Sequence, residues 1–124
     1  MIYLQTTVTD VGVEVPDLLE GGVLVLYADG APPALAEVAV QHRSGGVSER
    51  IPPIGTPVEF GGVRATVSAV GDTAWAKILD IGHVVFNFNG AAKAERPGEI
   101  CLTACDAEAI RCALSSGSLI TIAD

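Results

Sequence analysis

A chain of 124 residues with 49% hydrophobic and 18% charged residues has the size of one domain, spanning 1–124, and is too apolar to be a disordered segment. Its net charge of −8 excludes nucleic acid as an expected partner, because nucleic-acid binding depends on basic patches that displace counterions. The acidity suits a basic partner surface, and it equally serves plain solubility.

Apolar runs such as Val23–Ala28 have the length of one buried strand, far below the ~20 residues a helix needs to cross a bilayer. The opening MIYLQTT lacks the basic and apolar regions of a signal peptide, so the expected location is the cytoplasm.

In chain order, Ile2–Val8 alternates as a strand and closes at a turn around Asp10–Gly12. Val23–Ala28 is a continuous apolar strand ended by Asp29-Gly30. Pro32 and Pro33 lead into Glu37–His42, where Val38, Val40 and His42 share one face. Arg43-Ser44-Gly45-Gly46 reads as a loop, and Pro52, Pro53, Gly55 and Pro57 mark irregular chain. Val58–Phe60 and Val63–Val70 flank Gly61-Gly62, a hairpin signal.

One helix is predicted over Ala74–Leu79, with Asp72 as N-cap and Gly82 as terminator. His83–Asn89 alternates again, Glu99–Thr103 and Ser118–Ile122 are the last strands, and Asp106–Leu114 holds a short helical turn. No internal repeat is visible. The expected fold is mainly all-β: a small closed or nearly closed β-barrel of about six to eight short strands with one short internal helix.

Cys101, Cys105 and Cys112 form C-x3-C-x6-C, which lacks the paired knuckles of a structural zinc site. They read as ordinary buried or partly buried thiols, and neither a metal nor a cofactor is expected. The informative residues are the two histidines. His42 ends a strand with an otherwise apolar face and is followed by glycines, Arg43 and Ser44. Loop N–H groups including Gly45, the Ser44 hydroxyl and the Arg43 guanidinium suit an incoming phosphate, and neutral imidazole is a competent nucleophile near pH 7. An ordinary strand-end histidine and a solvated surface arginine fit the same pattern.

Longer motifs add to this. IYLQTTVTDVG, then VLVLYADGAPPALAEVAVQH, then ATVSAVGDTAWAKILDIGHVVFNFNGAAKAERPGEI follow one another in order. Together they resemble the glucitol/sorbitol-specific IIA family of the bacterial phosphotransferase system nearly end to end. The resemblance implies a phosphocarrier that takes a phosphoryl group from HPr on His42, at Nε2, and passes it to a cysteine of the IIB component. The membrane component IIC is involved only indirectly.

His83 falls on the family's G-H-V position, either as a hydrogen-bond donor to the phosphoryl oxygens or as a structural histidine tying a helix end to the barrel. The segment after His42 departs from the family pattern, and the cysteine-rich C-terminus has no counterpart in it, so the IIB cysteine role is not transferred to these thiols. The relay needs His42 within reach of two partners in a shallow apolar patch, with Ile51–Pro57 as a contributor. A regulatory or ligand-binding barrel that senses phosphotransferase state is the alternative. The oligomeric state is open, with a homodimer formed by strand exchange compatible with such a barrel.

Overall fold

The computed structural model describes all residues, Met1–Asp124. Eight strands occur in the order β1 (Ile2–Val11), β2 (Val23–Ala28), β3 (Ala39–Val47), β4 (Pro57–Phe60), β5 (Val63–Val70), β6 (Val84–Asn87), β7 (Glu99–Leu102) and β8 (Leu119–Ala123). Four short helices are inserted: α1 (Val15–Glu20), α2 (Pro33–Ala36), α3 (Ala74–Ile81) and α4 (Ala107–Ala113). The strands close into a barrel in the order β1-β3-β2-β6-β7-β5-β4-β8, which leaves no open sheet edge. No helix is long and apolar enough to cross a membrane.

The predicted strands are present, including the β4–β5 hairpin in which Phe60 faces Val63. Three expectations are corrected. First, α1 and α2 add to the predicted helix, α3, and to the helical turn expected over Asp106–Leu114, which is α4. Both α1 and α2 carry a proline in the first turn, and neither is long enough to display a helical period. Second, the cap of α3 is Thr73 and not Asp72, with Gly82 closing the helix as predicted at φ 65°.

Third, Arg43–Gly46 is strand and not loop. Its backbone is paired with β1, where Thr6 faces Ser44 and Gln5 faces Gly46, so Gly45 is the extra residue of a bulge. The pairing overrides the low strand propensity of the two glycines.

The architecture also contains a repeat that the residues do not display. Reading the strand order outward from the β2–β6 pair gives β3 and β7, then β1 and β5, then β8 and β4. In one half β1 pairs antiparallel and β2 parallel with β3, and in the other β5 pairs antiparallel and β6 parallel with β7.

Backbone contacts repeat as well. Gly12 N–H donates to Ala39 O at 3.0 Å and Gly71 N–H to Glu99 O at 2.7 Å. At both glycines an added Cβ would collide with carbonyl oxygens, those of Ala36 and Glu37 beside Gly12 and those of Arg96 and Pro97 beside Gly71. This close approach is what the shared Val-Gly pairs, Val11-Gly12 and Val70-Gly71, have in common.

The inward faces of both halves form one apolar core that includes Leu4, Val8, Leu26, Val40, Val67, Phe86, Ile100 and Ile122. Phe60 lies edge-on to Phe86 with ring centroids 5.4 Å apart. Trp75 on α3 satisfies its indole by donating to Ser48 O at 2.7 Å, which ties the start of that helix to the chain after β3.

Candidate functional site

β3 presents His42 on the inward face beside Val8 of β1 and Ala28 of β2, its register partners on the two sides. The residue is 3% exposed. Both ring nitrogens are engaged: Nδ1 lies 2.6 Å from Thr6 Oγ1, and Nε2 lies 2.7 Å from the carbonyl oxygen of Gly82. Thr6 is buried and Gly82 only half-buried, so Nδ1 points inward and Nε2 toward the surface.

Burial pushes the imidazole below its ordinary pKa, opposed by the Gly82 carbonyl, which favours a proton. The ring is therefore neutral at pH 7. A carbonyl cannot donate, so its partners assign the proton to Nε2, and the Thr6 hydroxyl donates to Nδ1.

Gly82 is required here twice over. Its φ of 65° is left-handed, and an added Cβ would sit 3.0 Å from Ala28 Cβ and 3.2 Å from His42 Nε2. Gln41, also buried, turns its Oε1 to accept from Gly30 N–H at 3.1 Å and Ala31 N–H at 3.0 Å, which secures the turn after β2.

The other sequence-predicted residues lie around this core without entering it. Arg43 alternates to the outer face, where its exposed guanidinium pairs with Asp29 at 2.9 Å. Ser44 Oγ accepts from Gly46 N–H at 3.1 Å in an exposed position. His83 follows Gly82 directly, but its ring packs on Tyr27 with centroids 5.4 Å apart and a 45° tilt. Burial and the nearby Lys77 charge lower its pKa.

In the Ile51–Pro57 stretch, Ile54 lines a cavity of about 320 Å³ with Gly71, Asp72 and the Ala92–Pro97 segment. The three thiols are dispersed, with Cys101 buried, Cys105 half-buried and Cys112 exposed. Burial beside Glu99 raises the Cys101 pKa, away from the reactive thiolate.

Thr6, Gly82 and Gln41 carry no signal in the sequence that marks them as site residues. Thr6 sits in an alternating strand with nothing to mark it, and Gly82 reads as a helix terminator. The β1–β3 register brings Thr6 to the imidazole, and the end of α3 brings Gly82.

The two-fold relation of the halves shows what is special about the site. Ala39 and Glu99 occupy equivalent places, so His42 corresponds to Leu102, which faces Val67 as His42 faces Val8. Thr6 correspondingly matches Ala65. The fold is satisfied by Leu and Ala at these places, and the His–Thr pair in one half exceeds what packing asks for.

Residues 3–121 match the family described as PTS system glucitol/sorbitol-specific IIA component. The chain belongs to this family. The PTS system glucitol/sorbitol-specific EIIA components of Shigella flexneri and Escherichia coli strain K12 are each 33% identical to it over 99 residues, covering 80% of this chain and 80% of theirs. The crystal structure of a PTS system IIA component from Enterococcus faecalis V583 has the same fold, with a TM-score of 0.77 over 97% of this chain and 99% of that one at 20% identity. As a glucitol/sorbitol-type IIA component, the protein takes part in phosphoryl transfer within a phosphotransferase system.

Proposed function

We propose that the protein is a cytoplasmic phosphocarrier that accepts a phosphoryl group from HPr on His42 and delivers it to the IIB component. The observation that carries this reading is the neutral imidazole of His42, placed where the equivalent half of the barrel has Leu102 and held by contacts at both nitrogens. Nε2 is the receiving atom, because it is the nitrogen on the half-buried side of the site. Phosphoryl relay asks little of the protein beyond position and charge, so a single oriented histidine is sufficient equipment.

Burial limits hydrolysis of the phosphohistidine by excluding water. It also means that the Gly82 carbonyl has to move aside before either partner reaches Nε2. His83, Arg43, Ser44 and Gly45 each lie within three residues of His42 or next to Gly82, and they are the groups proposed to support the phosphoryl oxygens. Arg43 would exchange Asp29 for phosphate.

The test is a stepwise relay with labelled phosphoenolpyruvate, enzyme I, HPr, this protein and a purified IIB component. Label should pass through this protein to IIB and be discharged when IIB is added. Label that stops on HPr contradicts the reading, and label that reaches this protein but never leaves it favours a sensor of phosphotransferase state.

A further inference from the structure

We propose that Thr6 is a positioning residue for phosphoryl transfer at His42, its hydroxyl reversing from donor to acceptor as the ring proton moves from Nε2 to Nδ1. The inference rests on the phosphocarrier reading above. It starts from the two contacts of the imidazole, Thr6 Oγ1 at 2.6 Å and Gly82 O at 2.7 Å.

In the resting protein the outward nitrogen is not a nucleophile. Nε2 carries the proton, faces a carbonyl oxygen and has no free lone pair, while the lone pair on Nδ1 is directed inward at the Thr6 hydroxyl. Attack from Nε2 needs the other tautomer. Nδ1 takes up one proton from solvent, Nε2 releases one to solvent, and the Gly82 carbonyl swings away. The ring is neutral before and after this exchange.

A hydroxyl is suited to both tautomers. Thr6 donates to the bare Nδ1 and, by rotating about its C–O bond, accepts from Nδ1–H. A carboxylate would only accept, and an apolar residue would leave a buried nitrogen unpaired, which is costly. The equivalent half of the barrel makes the same point, because there Ala65 and Leu102 stand in for Thr6 and His42, so the two polar residues are present together or absent together.

In the transfer step the Nε2 lone pair bonds to phosphorus as the N–P bond of the donor's protonated phosphohistidine breaks. The bonding pair stays on the donor nitrogen, which leaves as neutral imidazole. His42 then holds the phosphoryl group on Nε2 and a proton on Nδ1, and Nδ1–H donates to Thr6 Oγ1.

The experiment is ¹⁵N NMR of the His42 ring in the full chain, before and after phosphorylation by enzyme I, HPr and phosphoenolpyruvate, with rates measured for Thr6→Val and Thr6→Ser. The resting wild type should show a protonated Nε2 and a bare Nδ1, and the phosphorylated form a protonated Nδ1. Thr6→Val should slow phosphoryl uptake by about ten- to a hundredfold, the worth of one hydrogen bond to a charged ring, with Thr6→Ser restoring most of the rate.

A resting Nδ1–H tautomer, or Thr6→Val running at the wild-type rate, overturns the proposal while leaving the relay intact. A folded wild type that takes no phosphate at all overturns the phosphocarrier reading, and the role given to Thr6 falls with it. If Thr6→Val does not fold, the resting tautomer and the Thr6→Ser rate still decide.

Discussion

His42 Nε2 and the carbonyl oxygen of Gly82 are 2.7 Å apart, so the outward edge of the imidazole is covered by the left-handed residue that ends α3. The helix end is therefore part of the site, and the G-H-V position has a structural reason for its glycine. Substituting Gly82→Ala forces a Cβ into 3.0 Å contact with Ala28 Cβ and 3.2 Å contact with His42 Nε2, on a backbone that L-residues avoid. Equilibrium urea unfolding should show a loss of about 1–2 kcal/mol from the left-handed backbone alone. The His42 ring resonances should shift as well.

Replacing His42 and Thr6 by the residues of the equivalent half separates function from packing. The double substitution Thr6→Ala, His42→Leu copies the Ala65–Leu102 arrangement and removes both buried polar partners at once, which is close to neutral or stabilising. His42→Ala alone orphans the Thr6 hydroxyl and opens a cavity, with an expected cost of about 1–3 kcal/mol. Thermal unfolding should place the double variant at or above the single one, and neither should accept phosphate.

Acid should weaken the fold in two separate windows. Burial depresses the pKa of both His42 and His83, with the Lys77 charge adding to the effect at His83. The folded state thus holds fewer protons than the unfolded chain, whose histidines titrate near 6.5. Their contribution is complete above that value and declines as pH falls from about 6.5 through the depressed folded values.

The exposed carboxyls of Glu108, beside Arg111, and Asp124, beside the N-terminal amine, are also lowered. Their contribution fades only on further acidification, below the ordinary carboxylate range. Denaturant midpoints measured from pH 8 to 5 should fall through the first window, and the Thr6→Ala, His42→Leu variant should fall less steeply.

How much of this was legible follows from range along the chain. The strands, the Gly61-Gly62 hairpin, the end of α3 at Gly82 and the interest of His42 depend on neighbours within a few residues, and local pattern carried them. Arg43–Gly46 reads as a loop because two glycines and a serine have no strand preference of their own, and only pairing with β1 makes them a strand. Thr6 and Gly82 lie 36 and 40 residues from His42, so no local signal connects them. The internal repeat was hidden for the related reason that its halves share Val11-Gly12 and Val70-Gly71 but differ where the function lies, at His42 against Leu102.

Gln41 gives a test of how the turn after β2 is held. Gln41→Ala strips the backbone N–H groups of Gly30 and Ala31 of their acceptor, and the expected loss is about 1–2 kcal/mol. Amide exchange at Gly30 and Ala31 should accelerate, while that of Leu24 and Leu26 in the core follows only the change in global stability.

The central claim is that His42 carries the phosphoryl group. Intact-mass spectrometry at neutral to alkaline pH, after incubation with enzyme I, HPr and phosphoenolpyruvate, tests it on wild type, His83→Ala and the Thr6→Ala, His42→Leu variant together. The account predicts one acid-labile phosphate on wild type and on His83→Ala, and none on the variant lacking His42. A phosphate that persists without His42, or a wild type that gains nothing while HPr is fully phosphorylated, would contradict it.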